Sequence, residues 1–184
     1  MQARIGTLSD IKGILALQKL NLYSELTAAQ RTRGFVTTPF TIPQIEEIIE
    51  EDGIFVVERK GQIIAYTFAG TWKYFQQWAI FPFMAARLPD LSFNGGEITT
   101  SNSFQYGPVC IDIQYRGKKL LNSVFEVMRL EFVQKFPISI TFINKVNQIS
   151  LRAHQKLGWE IVDEFHFNDN QYLGLAFDMN NSVL

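Results

Sequence analysis

The stretch IDIQYRGKKLLNSVF, residues 111–125, places a glycine and three cations between an apolar strand and a leucine-rich helix. The strand is predicted at 104–111 and the helix at 118–135, where apolar residues recur at helical spacing. A strand that turns tightly into a helix leaves backbone N–H groups unpaired, and the helix dipole strengthens their attraction for anions. The stretch predicts an anion site that suits a diphosphate, or else only the solvated first turn of a helix.

The strand before this turn contains Gly107 and Pro108, and a proline cannot donate to a β-ladder. We therefore expect a distorted strand. If it diverges from the next predicted strand, 138–143, backbone groups near Cys110 and Ile111 are free to pair with an extended ligand. A long, thin ligand that ends in a diphosphate fits both features.

Outward from this stretch, strands alternate with helices. A short strand at 2–6 precedes a helix that Ser9 or Asp10 caps, and Thr41 caps a second helix. Further strands are predicted at 54–58 and 62–69 as a hairpin, and at 159–167 and 172–179 as a closing antiparallel pair. A helix between Asn147 and Gly158 precedes that pair. The pattern predicts an α/β sandwich: a mixed, mostly antiparallel sheet, helices on both faces and a splayed central strand pair.

Composition limits the classes of function. The chain has 184 residues, of which 47% are hydrophobic, so we expect one domain, residues 1–184. The formal net charge of −1 gives no general attraction for nucleic acid or an anionic membrane, and we expect a cytoplasmic protein with neither partner. One cysteine and two histidines without ligand spacing predict no internal disulfide and no bound metal.

An aromatic-rich insert is predicted at about 71–103, and its first part has the pattern of a helix. Its aromatic faces would suit the wall of a pocket for an apolar or cationic amine. The favoured alternative is that the insert covers its own core or meets a second subunit in a homodimer.

Two motifs resemble the GNAT superfamily of N-acyltransferases. Residues 111–125 are similar to its acyl-CoA loop, Val-x-Pro-x-Tyr-Arg-Gly-Lys-Gly-x-Gly followed by a leucine-rich helix. The segment NQISLRAHQKLGW, residues 147–159, resembles the family's next segment, Asn-x-x-Ala/Ser ending in Tyr-x-Lys-Leu-Gly-Phe. The resemblance implies a GNAT-like fold, acetyl-CoA as co-substrate and a small-molecule or peptide amine as acceptor.

Arg116, rather than Gln114, is assigned to the motif's leading Gln/Arg position, because Val124 and Phe125 then occupy the places of the family's helix leucines. Lys119 and Leu121 then stand where the family has glycines that let the backbone approach the pyrophosphate. The resemblance implies a binding set in which amides of the loop hold the diphosphate, while strand residues and Asn147 contact the pantetheine arm. This set is Val109, Cys110, Ile111, Arg116, Gly117, Lys118, Lys119, Leu120, Leu121, Asn122 and Asn147.

Acyl transfer to an amine also requires proton transfer, since an alkylamine with a pKa of about 10.4 attacks only when unprotonated. In the family the base often comes from the strand level of Gln105 and Tyr106. Gln105 cannot ionise, so Tyr106 is the candidate for aligning or deprotonating the amine. His154, at the place of the family's acidic Tyr, is the candidate for protonating the thiolate. The alternatives are a core tyrosine and a solvated helical histidine.

Three classes of function follow. The first is an N-acetyltransferase that acts by direct attack in a ternary complex. The missing loop glycines and the missing Tyr suggest the second, an acyl-CoA-binding module with little or no turnover. The third is an interaction protein that uses the aromatic insert.

Overall fold

The computed structural model describes residues 2–184 and contains a seven-stranded mixed sheet with the order β1-β2-β3-β6-β7-β9-β8. β6 and β7 run parallel, whereas the pairs β1–β2, β2–β3, β7–β9 and β8–β9 are antiparallel. The predicted α/β class with a mixed, mostly antiparallel sheet is confirmed. The strands are β1 Ala3–Ile5, β2 Ile54–Arg59, β3 Gln62–Gly70, β4 Ser92–Phe93, β5 Gly96–Glu97, β6 Ser103–Ile111, β7 Ile138–Asn144, β8 Glu160–Phe167 and β9 Asn170–Asp178.

Helices alternate with these strands as the periodicity predicted. The helices are α1 Ile11–Lys19, α2 Ala28–Arg31, α3 Ile42–Glu50, α4 Trp72–Phe75, α5 Ile80–Arg87, α6 Leu120–Phe132 and α7 Gln148–Lys156. The sequence pattern did not predict α2 or the small hairpin β4–β5. Within residues 2–184, no helix combines the length and the apolar character needed to cross a bilayer.

The chain forms two compact units. The first comprises the residues through Ala69, Gly107–Glu131 and Val183–Leu184, and the second comprises Gly70–Tyr106 and Phe132–Ser182. The expectation that residues 1–184 form a single domain stays a prediction.

In the first unit, α1 packs closely on β3. A Cβ added at Gly13 would lie 2.6 Å from Cγ1 of Ile63, so a glycine is required at this crossing. Ile14 and Leu17 of α1 are buried, and each buried aliphatic side chain contributes about 1.5–3 kcal/mol. α3 begins as predicted at Thr41, whose N–H donates to Oε1 of Gln44 at 2.9 Å. These helices give the first unit its core.

In the second unit, the aromatic-rich insert covers its own core, which was the favoured interpretation. Its helices and loops supply the buried residues Trp72, Met84, Leu88, Phe93 and Ile98. They pack in one cluster with Ile138, Ile140, Phe165, Tyr172 and Ala176 of the sheet strands. The predicted homodimer contact stays a prediction.

Candidate functional site

The loop between β6 and α6 has the backbone conformation of a glycine-rich loop. We call residues 116–122 the phosphate loop. Gly117 has a φ of +75° and Lys119 a φ of +58°, both in the left-handed region. That region costs a non-glycine residue about 1–2 kcal/mol. Lys119, which stands where the motif has a glycine, therefore adopts a backbone conformation that a glycine reaches without strain.

The phosphate loop ends in backbone amides that precede the hydrogen-bond ladder of α6. The bond from Ser123 N–H to the carbonyl of Lys119, 3.1 Å, spans the first turn of the helix. The N–H groups of Leu120, Leu121 and Asn122 come before it, as the first amides of any helix do. The Asn122 side chain is engaged separately, because its Nδ2 donates to the carbonyl of Val183 at 2.9 Å. The predicted anion site therefore has donors of the right kind.

Of the three predicted cations, Arg116 is used inside the protein. Its Nε donates to the carbonyl of Ile111 at 3.0 Å and its Nη2 to Oδ1 of Asn21 at 2.9 Å, while Nη1 donates to the carbonyl of Arg33. Burial lowers the pKa of the Arg116 guanidinium from its usual value. Arg116 therefore ties the 21–33 segment to the phosphate loop through its side chain.

The exposed cations of the phosphate loop are Lys118 and Lys119. Nζ of Lys118 lies 4.9 Å from the centroid of the Tyr115 ring, a cation–π distance that keeps the ammonium group beside the loop. The positive charge that the sequence placed here is therefore carried at the surface by two lysines.

The second half of β6 contains the residues that were predicted to pair with a pantetheine arm. Val109 and Ile111 are half-buried, and Cys110 is buried, with its Sγ 3.8 Å from the carbonyl of Leu17. Burial raises the pKa of the Cys110 thiol to about 12. Cys110 is therefore a protonated core thiol at neutral pH.

The parallel pairing of β6 with β7 ends early. It comprises Ser103↔Ile138, Phe104↔Ser139 and Gln105↔Ile140, whereas β7 stays paired with β9 along its whole length. Past the last pair, the side-chain Oγ1 of Thr141 donates to the carbonyl of Tyr106 at 2.8 Å. We call the end of this pairing, at Gln105↔Ile140, the fork. The splayed strand pair predicted from Pro108 is confirmed.

Tyr106 and His154, the two residues predicted for proton transfer, do lie together, but inside the core. Their ring centroids are 5.6 Å apart, and the Tyr106 ring lies 5.1 Å from that of Trp159. Both side chains are buried, and the Tyr106 hydroxyl is shielded from solvent. This position agrees with the alternative of a core tyrosine that packs against α7.

His154 is buried, so it is not the solvated helical histidine of the alternative interpretation. Its environment also disfavours the predicted role of protonating the thiolate. Its Nδ1 lies 2.8 Å from the carbonyl of Ser150, which identifies Nδ1 as the protonated nitrogen of a neutral ring. Burial lowers the pKa of His154 to about 4. At neutral pH the ring therefore carries no second proton to give to a thiolate.

Gln105 is the residue that sequence reasoning set aside and the structure brings forward. It is 1% exposed, and neither Oε1 nor Nε2 has a hydrogen-bond partner in the described structure. Because successive side chains of a strand point to opposite faces, Gln105 faces away from Phe104 and Tyr106. In the sequence, Gln105 could have been recognised as a polar residue within an apolar strand, two residues before Gly107.

Asn147 caps α7, as predicted. Its side-chain Oδ1 accepts from the N–H of Ser150 at 3.3 Å, and its own N–H donates to the carbonyl of Asn144 at 2.8 Å. The side-chain oxygen of Asn147 is thus used within its own helix. The predicted contact of Asn147 with a ligand stays a prediction.

A separate cavity of about 540 Å³ lies in the first unit, between α1 and the β2–β3 turn. On its wall Arg4 donates to both carboxylate oxygens of Asp10, at 2.7 and 2.8 Å, and to Glu58 at 3.1 Å. Among the described residues that line it, none belongs to the predicted site.

Comparison with known structures identifies the fold. The chain is similar to a ribosomal-protein-alanine N-acetyltransferase from Brucella melitensis, with 16% identity, a TM-score of 0.62 and coverage of 97% and 99% of the two chains. It is also similar to yncA of Salmonella typhimurium, solved with its cofactor acetyl-CoA, with 14% identity, a TM-score of 0.65 and coverage of 98% and 95%. A polyamine N-acetyltransferase from Drosophila melanogaster matches with 14% identity, a TM-score of 0.67 and coverage of 96% and 98%.

The GNAT fold expected from the two sequence motifs is therefore confirmed, while identities this low establish the fold alone. No protein-family model matches the sequence, and no curated protein does.

Proposed function

We propose that this chain is an N-acetyltransferase that transfers an acetyl group from acetyl-CoA to a primary amine. The observation that carries the proposal is the phosphate loop, in which the amides of residues 120–122 precede the α6 ladder beside two exposed lysines. This arrangement belongs to a fold shared with N-acetyltransferases, and the similar protein yncA was solved with acetyl-CoA.

The phosphate loop fits a diphosphate in its chemistry. Backbone amides at a helix start bind anions without any particular side chain, and the left-handed φ of Lys119 preserves the turn. Lys118 and Lys119 add charge, whereas Arg116 holds the loop in place from inside. Residues 109–111 of β6, which lead into the phosphate loop, are proposed to hold the pantetheine arm, which reaches from the diphosphate to the thioester.

Direct attack within a ternary complex is supported by the state of the single cysteine. A C–N bond forms and a C–S bond breaks, the amine loses one proton and the departing thiolate gains one. An acyl-enzyme route through Cys110 would need a thiolate, and a buried thiol with a pKa of about 12 does not provide one at neutral pH. The amine is therefore proposed to attack the bound thioester itself.

The proton that the amine loses is proposed to leave through water. The predicted roles of Tyr106 and His154 would require access to solvent or substrate, whereas the Tyr106 ring packs against His154 of α7 and both side chains are buried. Substitution of each of the two residues tests whether it takes part in proton transfer.

The test is a coupled measurement of binding and turnover with the full chain. Acetyl-CoA is expected to raise the melting temperature, and a panel of small amines and peptides is expected to include an acceptor that releases free thiol and gains an acetyl group. The matched control is the variant Lys118→Glu/Lys119→Glu, which should lose the thermal shift. Absence of any shift with acetyl-CoA would overturn the proposal.

The second candidate function is an acyl-CoA-binding module with little or no turnover. It is favoured by one observation, the burial of both ionisable groups that were predicted to move protons. It predicts a thermal shift with acetyl-CoA and no acetylated product from any member of the panel.

A further inference from the structure

The first turn of α6 lacks the side-chain cap that holds many helix starts. The residue before it, Lys119, has no acceptor atom and therefore cannot cap the N–H groups of residues 120–122. Its φ of +58° is strained, and Lys118 and Lys119 bring two cations next to the positive end of the helix dipole. Amides that a cap already occupied could not hold a diphosphate, so the turn that the proposed function needs is one that frays easily.

Residues 183–184, which we call the strap, brace this turn within the first unit. Nδ2 of Asn122, the third residue of α6, donates to the carbonyl of Val183 at 2.9 Å. The N–H of Val183 donates to Oε2 of Glu126 at 3.1 Å. Asn122 and Glu126 are four residues apart and lie on one face of the helix, one turn from each other. Val183 therefore ties the first turn of α6 to the second.

The second turn is a firm anchor because Glu126 is itself held. Its Oε1 accepts from Nη2 of Arg129 at 2.7 Å and its Oε2 from Nε of Arg129 at 3.0 Å. Both residues are buried, and a bidentate pair with an arginine fixes the orientation of a carboxylate. The row Asn122, Glu126 and Arg129 thus runs from the phosphate loop to a rigid part of α6, and Val183 bridges the first two members.

We propose that the strap positions the first turn of α6 for the diphosphate of acetyl-CoA, so that Val183 and Glu126 are positioning residues for donor binding although neither belongs to the phosphate loop. The inference rests on the proposed function. In a frayed turn the amides point in no fixed direction, and the apparent affinity falls with the fraction of molecules in which the turn is formed. Bound acetyl-CoA holds the turn itself, so the chemical step at saturation is unaffected.

The experiment compares Val183→Pro, which removes the N–H that Glu126 accepts, with Val183→Ala, the matched control that keeps both backbone groups. We expect isothermal titration to show acetyl-CoA affinity about tenfold weaker in Val183→Pro, the effect of about one net hydrogen bond. The affinity of Val183→Ala should stay within about twofold of the wild type, because its hydrogen bonds are kept. In kinetics, the KM for acetyl-CoA should rise in Val183→Pro while kcat stays equal. A merely structural role would lower the melting temperature and leave the affinity unchanged.

Deletion of residues 183–184 removes the strap by a second route and guards against a local effect of the proline ring. We expect the same loss of affinity in this variant. Hydrogen exchange of the Ser123 amide, which donates to the carbonyl of Lys119, measures fraying in the absence of any ligand. The exchange should be faster in Val183→Pro and in the deletion variant, and unchanged in Val183→Ala.

The outcomes separate this inference from the proposed function. A wild type that binds acetyl-CoA no more tightly than Val183→Pro and the deletion variant would overturn the role of the strap alone. Tighter binding by these two variants would also contradict it, since the strap would then block the site. If the wild type itself does not bind acetyl-CoA, the proposed function and this inference fail together.

Discussion

The phosphate loop and the Tyr106–His154 pair differ in what they are made of. The loop presents backbone N–H groups, and Lys119 adopts a left-handed φ of +58° although it stands where the motif has a glycine. The pair was predicted to act through side chains at places taken from a family pattern, and the structure buries both rings, with Tyr106 packed against His154 of α7. Backbone geometry tolerates a change of residue, whereas side-chain chemistry depends on the environment of each group.

This difference has a practical meaning for function. A helix start preceded by a tight turn supplies amide donors whatever side chains follow, so its presence can be argued from sequence. A histidine becomes an acid or an inert core residue according to the groups packed around it. Four measurements, taken in order of decreasing effect, test the comparison.

The largest expected effect concerns the buried His154. Its pKa of about 4 in the folded protein lies below the value of about 6.5 in the unfolded chain. Between these values the unfolded chain binds a proton that the folded protein does not, so stability falls as the pH is lowered through this window. We expect His154 to account for about 3 kcal/mol of lost unfolding free energy between pH 7 and pH 4.

Denaturant unfolding of the wild type and of His154→Leu at both pH values measures this contribution. The wild type should lose more stability than the variant by that amount, and His166→Leu serves as the control because His166 is exposed. Equal losses in wild type and His154→Leu would show that the pKa of His154 is the same in the folded and the unfolded protein, and would restore it as a candidate acid.

The next effect concerns the charge of the phosphate loop. Lys118→Glu/Lys119→Glu places two carboxylates where we propose a diphosphate, and we expect acetyl-CoA affinity to fall about 100-fold, or roughly 2.7 kcal/mol. Isothermal titration measures the loss, with the exposed lysines of Lys135→Glu/Lys156→Glu as the control. An affinity within threefold of the wild type would place the nucleotide elsewhere.

A smaller effect separates backbone from side chain within the loop. Lys119→Gly removes the strain of a left-handed lysine and should raise the unfolding free energy by about 0.5–1 kcal/mol. Lys118→Gly lacks this benefit and should lower stability, because glycine costs more chain entropy on folding. Thermal denaturation compares the two variants. A destabilised Lys119→Gly would mean that the lysine side chain, rather than the backbone, supports the turn.

The smallest effect is expected for Tyr106→Phe. Because the hydroxyl is buried on the α7 side, we expect turnover within about threefold of the wild type at saturating acetyl-CoA. Steady-state kinetics with the best acceptor of the panel measures it. A loss of 30-fold or more with an unchanged melting temperature would make Tyr106 the residue that aligns the amine, as the resemblance implied.

The sequence predicted the elements well where a local signal marks their ends. Thr41 and Asn147 cap the helices that were assigned to them, and Gly158, with a φ of +96°, follows the helix it was expected to end. Pro108 inside an apolar strand predicted the fork, because a proline has no backbone N–H to donate to the neighbouring strand.

The site was predicted less completely, because its residues are distinguished by their contacts. Nothing in the run RGKK separates Arg116, which binds three protein acceptors, from Lys118 and Lys119, which are exposed. Gln105 was set aside because an amide does not ionise, although its lack of partners is what draws attention to it.

By itself the sequence determined the order of strands and helices, the fork and the amide-lined start of α6, since these depend on local backbone preferences and on hydrophobic periodicity. Only the tertiary structure decided which polar side chains are paired, neutral or left without a partner. The physical reason is that burial and neighbours distant in sequence determine a pKa or a hydrogen bond. Examples are Asn21, which the fold places beside Arg116, and Trp159, which it places beside Tyr106.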